Sequence, residues 1–210
     1  ICITGSNGKT TTTSLIYHIL KKAGADVGLA GNIGHSLALQ VAEQPHDTYV
    51  IELSSFQLDN MYRFRANVAV LLNITPDHLD RYDFCMDNYV KSKMRIMQNQ
   101  TEADAFIYWR EDQYIPAELE QHAEPVKRYG FTDAPADASA GFAVDGRFVV
   151  ETPVRFEMPL ASLSLPGKHN LRNSLAAAMA TLAAGVDPEV VRSGLSDFPG
   201  VEHRLEKAGT

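Results

Sequence analysis

The sequence contains few cysteines, and the two that occur lie far apart. Cys2 and Cys85 form no metal-type pair, and so few thiols favour a reduced, cytoplasmic setting. The sequence also has no apolar run that approaches the roughly 20 residues of a membrane-spanning helix. We therefore expect a cytoplasmic protein with no membrane association.

Positive charge is in the minority. The sequence has 19 lysines and arginines against 26 aspartates and glutamates, which gives a net charge of −7. Because nucleic-acid backbones attract basic surfaces, this balance argues against a nucleic-acid partner. It does not exclude a small anionic ligand, which a few local groups can hold. We expect a monomer that binds small molecules.

An initiator methionine and a signal peptide are also missing. The sequence begins within an apolar strand pattern at residues 1–4, and it ends at Thr210 without an obvious terminal element. We therefore expect a fragment of a longer protein. Its 45% apolar and 21% charged residues are typical of one globular domain with a substantial core.

Strands and helices alternate along residues 1–129. Short apolar segments predict the strands, and apolar residues at helical spacing predict the helices. This alternation predicts right-handed crossovers and a parallel sheet with helices on both faces. The segment 68–72 is entirely apolar, which is typical of a central strand. The predicted strands are 1–4, 27–30, 48–53, 68–72, 105–108 and 126–129, and the predicted helices are 9–23, one that follows Gly34, 89–98 and 116–122.

The last third of the chain has a different pattern. Residues 133–141 are rich in Ala, Asp, Pro and Ser, which predicts a loop. Two short strands then flank Asp145-Gly146, a strong hairpin signal. We therefore expect an α/β fold, a mostly parallel sheet flanked by helices, with a small antiparallel portion near residues 141–165. The segments concerned are the strands 142–144 and 147–150, the strand-like stretch 153–165 and the helices 170–184 and 188–195.

The strongest functional signal is the segment Gly5-Ser6-Asn7-Gly8-Lys9-Thr10, which follows a predicted strand and opens a helix. We call residues 5–10 the phosphate loop. Its glycines let backbone N–H groups turn toward a phosphate, and the helix N-terminus adds partial positive charge. Lys9 is predicted to bridge the terminal phosphates, and the Thr10 hydroxyl to reach Mg²⁺. The alternative is a plain glycine turn. The glycine spacing is compressed, which indicates a particular subclass of nucleotide-binding loop.

Three additional residues, later in the sequence, are candidates for metal binding. Glu52 ends a predicted strand, where α/β sheets place their ligands, and a carboxylate there can hold Mg²⁺ opposite Thr10. His78 follows the central strand and could ligate a metal through its neutral imidazole. Lys93 lies on a predicted helix with Lys91. The alternatives are a solvated carboxylate, a histidine without a ligand and a solvated basic face.

Asn170 and Asn173 lie three residues apart at a helix start, so they share a face. Carboxamides both donate and accept hydrogen bonds, which suits the edge of an adenine ring. The alternative is that Asn170 merely caps the helix while Asn173 is exposed.

Taken together, these segments resemble the Mur ligase family, ATP-dependent amide-bond ligases that act on nucleotide-linked muramic acid. Within the family, Glu52–Leu58 and Gly31–Gly34 are similar to the members that add D-glutamate. The resemblance implies that residues 1–210 are the central ATP-binding domain, and that the uridine-nucleotide-binding domain and the domain that closes over ATP lie outside the chain. The segments that occur in the family's order are the phosphate loop, Asp77-His78-Leu79-Asp80, the Lys93 helix, His169-Asn170-x-x-Asn173 and Arg204.

The family resemblance also implies an acyl-phosphate mechanism, driven by ATP, that joins D-glutamate to UDP-N-acetylmuramoyl-L-alanine. It implies two Mg²⁺ sites. The first is held by Thr10 and Glu52, and the second is served by His78 and by Lys93 as a carbamate. Lys9, His78 and Lys93 are the implied catalytic residues.

The same resemblance assigns the substrate and nucleotide contacts. Asn32, Ser54 and Gln57 are implied to face the muramoyl substrate. Asn170 and Asn173 are implied to approach the adenine, and Arg204 the ribose or the phosphates. The implied nucleotide-binding residues are Gly5, Ser6, Asn7, Gly8, Lys9, Thr10, Thr11, Asn170, Asn173 and Arg204.

Two other functions remain open at this point. The folate-polyglutamate ligase branch shares the loop and the central fold, but the segment Ser54-Ser55-Phe56-Gln57 argues against it. A nucleotide-dependent switch or binding module needs only the loop and one acid, and it leaves His78 and Lys93 unexplained. The sequence also has no Asn-Lys-x-Asp segment of the kind with which switch proteins read guanine.

Overall fold

The computed structural model describes residues 1–201, which form one sheet with helices on both faces. The strands are β1 (Cys2–Thr4), β2 (Val27–Gly31), β3 (Thr48–Glu52), β4 (Val68–Leu71), β5 (Ala105–Trp109), β6 (Lys127–Phe131), β7 (Gly141–Val144), β8 (Arg147–Val150) and β9 (Phe156–Pro159). The helices are α1 (Lys9–Lys22), α2 (Leu37–Glu43), α3 (Ser55–Asp59), α4 (Met86–Met94), α5 (Ile115–Leu119), α6 (Lys168–Ala183) and α7 (Pro188–Asp197).

The strand order within residues 1–201 is β2-β3-β1-β4-β5-β6-β7-β8-β9. Every pairing from β2 to β7 is parallel, and β7, β8 and β9 pair antiparallel. The predicted α/β fold with a small antiparallel portion is therefore confirmed. The predicted central position of β4 is also confirmed, since all four of its residues are buried between β1 and β5.

The side chains of the central strands alternate between two apolar cores. Ile3 and Val70 pack with α1 and α6 on one face, whereas Cys2 and Leu71 pack with α4 on the other. This alternation is the ordinary consequence of the pleat, which turns successive side chains to opposite faces of a sheet. Because both faces are covered, the candidate site residues lie at the strand ends. The carboxyl ends of β1, β3 and β4 lie side by side there.

The predicted hairpin forms at Asp145-Gly146, where both residues have positive φ. Two other expectations need correction. Helix α3 was not predicted, and in the stretch 153–165 only Phe156–Pro159 is a strand, followed by a 3₁₀ turn at Leu160–Ser162. Within residues 1–201, no helix combines the length and the apolar character needed to cross a bilayer.

Candidate nucleotide-binding and catalytic site

The phosphate loop connects β1 to α1, as the sequence predicts. Gly8 precedes the first turn of the helix with φ of 86°, in the left-handed region. A Cβ atom at this position would lie 2.4 Å from Oδ1 of Asn173. The backbone conformation therefore favours glycine at position 8, and a larger residue would also displace the Asn173 side chain.

Two lysine side chains converge on one carbonyl of the phosphate loop. Lys9 Nζ donates to the Gly5 carbonyl at 2.9 Å and to the Ser6 carbonyl at 3.1 Å. Lys93 Nζ, from α4, donates to the same Gly5 carbonyl at 3.0 Å. Lys91 is exposed on the same helix, whereas Lys93 is only 2% exposed. The structure therefore selects Lys93 as the lysine of α4 that enters the site, and the solvated alternative is wrong for it.

The surroundings of Lys93 disfavour its charged form. Burial and then repulsion from Lys9 lower the pKa of Lys93 from 10.5 to about 7, and attraction to Asp77 opposes the change only in part. The ammonium also lies 4.8 Å from the centre of the Tyr89 ring. At neutral pH a large fraction of Lys93 is therefore an uncharged amine, which is nucleophilic.

Glu52 lies at the end of β3 and is 3% exposed, so the solvated alternative is wrong for it as well. Among residues 1–201 its Oε2 atom has no hydrogen-bond partner. Glu52 lines a cavity of about 370 Å³ together with Lys9, Thr10 and Asn32. A buried carboxylate oxygen without a partner is costly unless a cation or donor occupies the cavity beside it. A carboxylate with a nearby hydroxyl is the oxygen donor set that Mg²⁺ prefers.

His78 lies beyond the end of β4 with φ of 49°. Its ring is edge-on to Phe56 at 5.4 Å between centroids, and its Nε2 lies 3.5 Å from Oδ1 of Asp77. The part of the chain that the structure describes contains no group of three or more His, Cys, Asp and Glu residues placed to hold a metal ion. The metal-binding role of His78 therefore stays a prediction.

Ser54 and Gln57 hold each other at the start of α3. The Ser54 hydroxyl accepts from the Gln57 backbone N–H at 3.3 Å, and the Gln57 side chain accepts from the Ser54 backbone N–H at 2.8 Å. This capping box explains why the short helix forms. The Asn32 backbone N–H donates to the Glu52 carbonyl at 3.0 Å, which places Asn32 beside the end of β3. The substrate contacts of all three residues stay predictions.

Asn170 and Asn173 lie in the first turns of α6, at a cavity of about 390 Å³ that also borders Asn7 and Gly8. The Asn173 side chain donates to Oδ1 of Asn170 at 3.3 Å. The capping alternative is wrong, because the helix cap is Gly167 and Asn173 is only 7% exposed. Arg204 lies outside the described residues.

The comparison with protein families concerns the domain as a whole. A family model described as the Mur ligase middle domain matches residues 3–181. The chain belongs to the Mur ligase family.

Two individual members of the family are similar to this chain over nearly its whole length. A UDP-N-acetylmuramoylalanine–D-glutamate ligase of Bacteroides fragilis is 61% identical over 99% of this chain and 47% of its own length. One of Porphyromonas gingivalis is 52% identical, over 99% of this chain and 47% of its own length. The chain therefore spans about half the length of the curated relatives it matches.

A solved structure supports the fold of the Mur ligase domain. A UDP-N-acetylmuramoyl-L-alanyl-D-glutamate–2,6-diaminopimelate ligase is 21% identical, with a TM-score of 0.78 over 98% of this chain and 47% of the other. At this identity the likeness concerns the fold alone.

Sequence reasoning missed an ion pair in this Mur ligase domain, beside the cavity that Asn170 and Asn173 line. Arg172, which lines that cavity, donates to both carboxylate oxygens of Asp133 at 2.6 and 2.5 Å. Its guanidinium lies 3.7 Å from the centre of the Trp109 indole. The hydrogen bonds from Arg172 lower the pKa of Asp133. No local sequence pattern predicts this cluster, because its members come from three separate parts of the chain.

Proposed function

We propose that residues 1–210 are the central ATP-binding domain of a ligase that adds D-glutamate to UDP-N-acetylmuramoyl-L-alanine. The uridine-nucleotide-binding domain and the domain that closes over ATP then lie outside this chain. The observation that carries the proposal is the buried Glu52 oxygen beside Lys9 and Thr10, which has no hydrogen-bond partner among residues 1–201. The identity to the two D-glutamate ligases supports the choice of substrates.

The phosphate loop is proposed to hold ATP. Lys9 and the N-terminus of α1 face the phosphates, and Thr10 and Glu52 are the proposed ligands of the first Mg²⁺. Bound Mg²⁺ neutralises charge on the oxygens of the phosphoryl group that is transferred. Asn170 and Asn173 are proposed to approach the adenine, and Arg204 the ribose or phosphates.

The proposed reaction has two steps. A carboxylate oxygen of UDP-N-acetylmuramoyl-L-alanine attacks the γ-phosphorus of ATP, and ADP leaves. The amine of D-glutamate then attacks the acyl carbon, a C–N bond forms, the C–O bond to phosphate breaks, and the amine loses a proton. Phosphorylation is required because a free carboxylate has no acceptable leaving group. Asn32, Ser54 and Gln57 are proposed to orient the muramoyl substrate.

Lys93 is proposed to act as a carbamate. The ammonium first loses a proton; the neutral amine then attacks CO₂, a C–N bond forms and a second proton is released, so that a cation becomes an anion with two oxygens. The buried position of Lys93 and its pKa of about 7 support this step, since only the neutral amine reacts. The carbamate and His78 are the proposed ligands of a second Mg²⁺, and the carbamate would supply the oxygen donors that this ion prefers.

The test is phosphate release by the full-length enzyme with ATP, Mg²⁺ and UDP-N-acetylmuramoyl-L-alanine. We expect release that depends on D-glutamate, with L-glutamate as the matched control because it differs only in handedness. Release that depends instead on a folate substrate and L-glutamate would identify a folate-polyglutamate ligase. Nucleotide binding without release under any of these conditions would identify a binding module.

A further inference from the structure

The phosphate loop is held by a side chain to which the nucleotide-binding pattern assigns no role. Oδ1 of Asn73 accepts from the Asn7 backbone N–H at 2.9 Å, and Nδ2 of Asn73 donates to the Asn7 carbonyl at 2.9 Å. The Asn73 carbonyl also accepts from the Ser6 backbone N–H at 2.9 Å. A carboxamide offers one acceptor and two donors, so it can pair with a peptide group as a neighbouring strand does.

A second set of hydrogen bonds lies beside the first. The Thr75 backbone N–H donates to the Ser6 hydroxyl at 2.9 Å, and that hydroxyl donates to the Thr75 carbonyl at 2.9 Å. Because its single proton is used in this way, the Ser6 hydroxyl accepts from the Tyr89 hydroxyl at 3.1 Å. The phosphate loop is therefore connected both to the segment that leads to His78 and to α4.

The segment after β4 is itself anchored from the opposite side. The Ile74 backbone N–H donates to Oδ2 of Asp112 at 2.9 Å. The other oxygen of Asp112 accepts from the N–H groups of Tyr114 and Ile115 at 2.9 and 3.1 Å, and Asp112 is only 6% exposed. Asp112 thus fixes the backbone at Ile74, and the adjacent Asn73 holds the phosphate loop in place relative to it.

We propose that Asn73 is a positioning residue for ATP, which fixes the conformation of the phosphate loop before the nucleotide binds. Its two hydrogen bonds to Asn7 fix the orientation of the Asn7 N–H and C=O groups, and so constrain the peptides that follow. A loop held in its binding conformation loses less conformational freedom when it binds an anion. This inference rests on the proposed function only in that ATP is the nucleotide.

The test is the Asn73→Ala variant of the full-length enzyme. We expect the Kd and the KM for Mg-ATP to rise about 10-fold, since the loss of one or two hydrogen bonds has this effect. The KM for D-glutamate should not change. Backbone hydrogen exchange in the peptide that contains Asn7 should accelerate, because the Asn7 N–H loses its acceptor.

The matched control is Asp104→Asn, which lowers stability at the opposite end of the sheet. Asp104 precedes β5 and accepts from both Arg65 and the Thr101 backbone. The Asp104→Asn variant should lower Tm at least as much as Asn73→Ala does, while its Kd for Mg-ATP stays unchanged. The inference is wrong if Asn73→Ala keeps the wild-type Kd for Mg-ATP and the wild-type rate of hydrogen exchange at Asn7. It is also wrong if the Kd rises equally in Asp104→Asn. Direct nucleotide binding does not depend on which amino acid is ligated, so a wrong choice of substrate leaves this test intact.

Discussion

Lys93 offers the sharpest test of the proposed chemistry. An ordinary lysine with a pKa of 10.5 is neutral in about one molecule in 3,000 at pH 7, whereas a pKa of about 7 makes about half of the Lys93 side chains neutral. The structure thus increases the reactive form of this one amine by roughly a thousandfold. We therefore expect carbamate formation at Lys93 and not at the exposed Lys91.

The assay is turnover by the full-length Lys93→Ala enzyme with and without a short carboxylic acid such as acetate. Loss of the anion should reduce the rate by about 100-fold or more, the usual effect of removing one electrostatic group from an active site. Acetate should restore part of the rate, because it supplies two oxygens to the space that the side chain leaves. Lys91→Ala is the matched control from the same helix, and we expect it to turn over normally.

Three results would contradict this reasoning. Full activity in Lys93→Ala would mean that neither a carbamate nor an ammonium is needed at this position. Loss and rescue in Lys91→Ala instead would mean that the wrong lysine was chosen. Loss without any rescue by acetate, at concentrations that leave the wild-type rate unchanged, would favour an ammonium that pairs with a phosphate oxygen.

Three further predictions concern the loop, the fragment and the stability of the sheet. Lys9→Ala in the full-length enzyme should reduce turnover by about 100- to 1,000-fold with an unchanged circular dichroism spectrum, and near-normal turnover would contradict its role at the phosphates. Residues 1–210 alone should bind Mg-ATP weakly in calorimetry and fail to ligate, because the reaction requires three substrates to be positioned together. Robust D-glutamate ligation by the fragment would contradict this prediction. Burial alone would raise the pKa of Asp104, but hydrogen bonds from Arg65 and Thr101 outweigh it and lower the pKa. The stability that Asp104 contributes is therefore present above its unfolded pKa of about 4, and it is lost as the pH falls through its lower folded pKa. The Tm difference between wild type and Asp104→Asn should accordingly shrink in acid and not in base.

The order of the elements and the position of the site follow from local patterns. The apolar run at 68–72 predicted the central strand, and the strand-to-helix context of the phosphate loop predicted its place. The two-residue spacing of Lys91 and Lys93 predicted that they face different ways, because such residues do not share a helix face. These signals lie within a few residues of one another, which is why a single sequence reveals them.

The contacts that hold the loop are long-range and leave no such signal. Asn7 and Asn73 are 66 positions apart, and Ile74 and Asp112 are 38 apart. Helix α3 has only five residues, too few for a periodic pattern, although its Ser54 and Gln57 capping box was readable in the sequence. Ser54 and Gln57, to which the family resemblance assigns substrate contacts, therefore also have a local structural role at the start of α3.

The shared acceptor at Gly5 makes the two site lysines thermodynamically inseparable. Lys9 and Lys93 donate to the same carbonyl, and repulsion from Lys9 helps to lower the pKa of Lys93. Removing Lys9 therefore also makes Lys93 more basic and less reactive toward CO₂. In the proposed carbamate form of Lys93, the repulsion between the two side chains would become attraction. Rate losses measured on the single variants describe one coupled pair, and they cannot be summed as independent contributions.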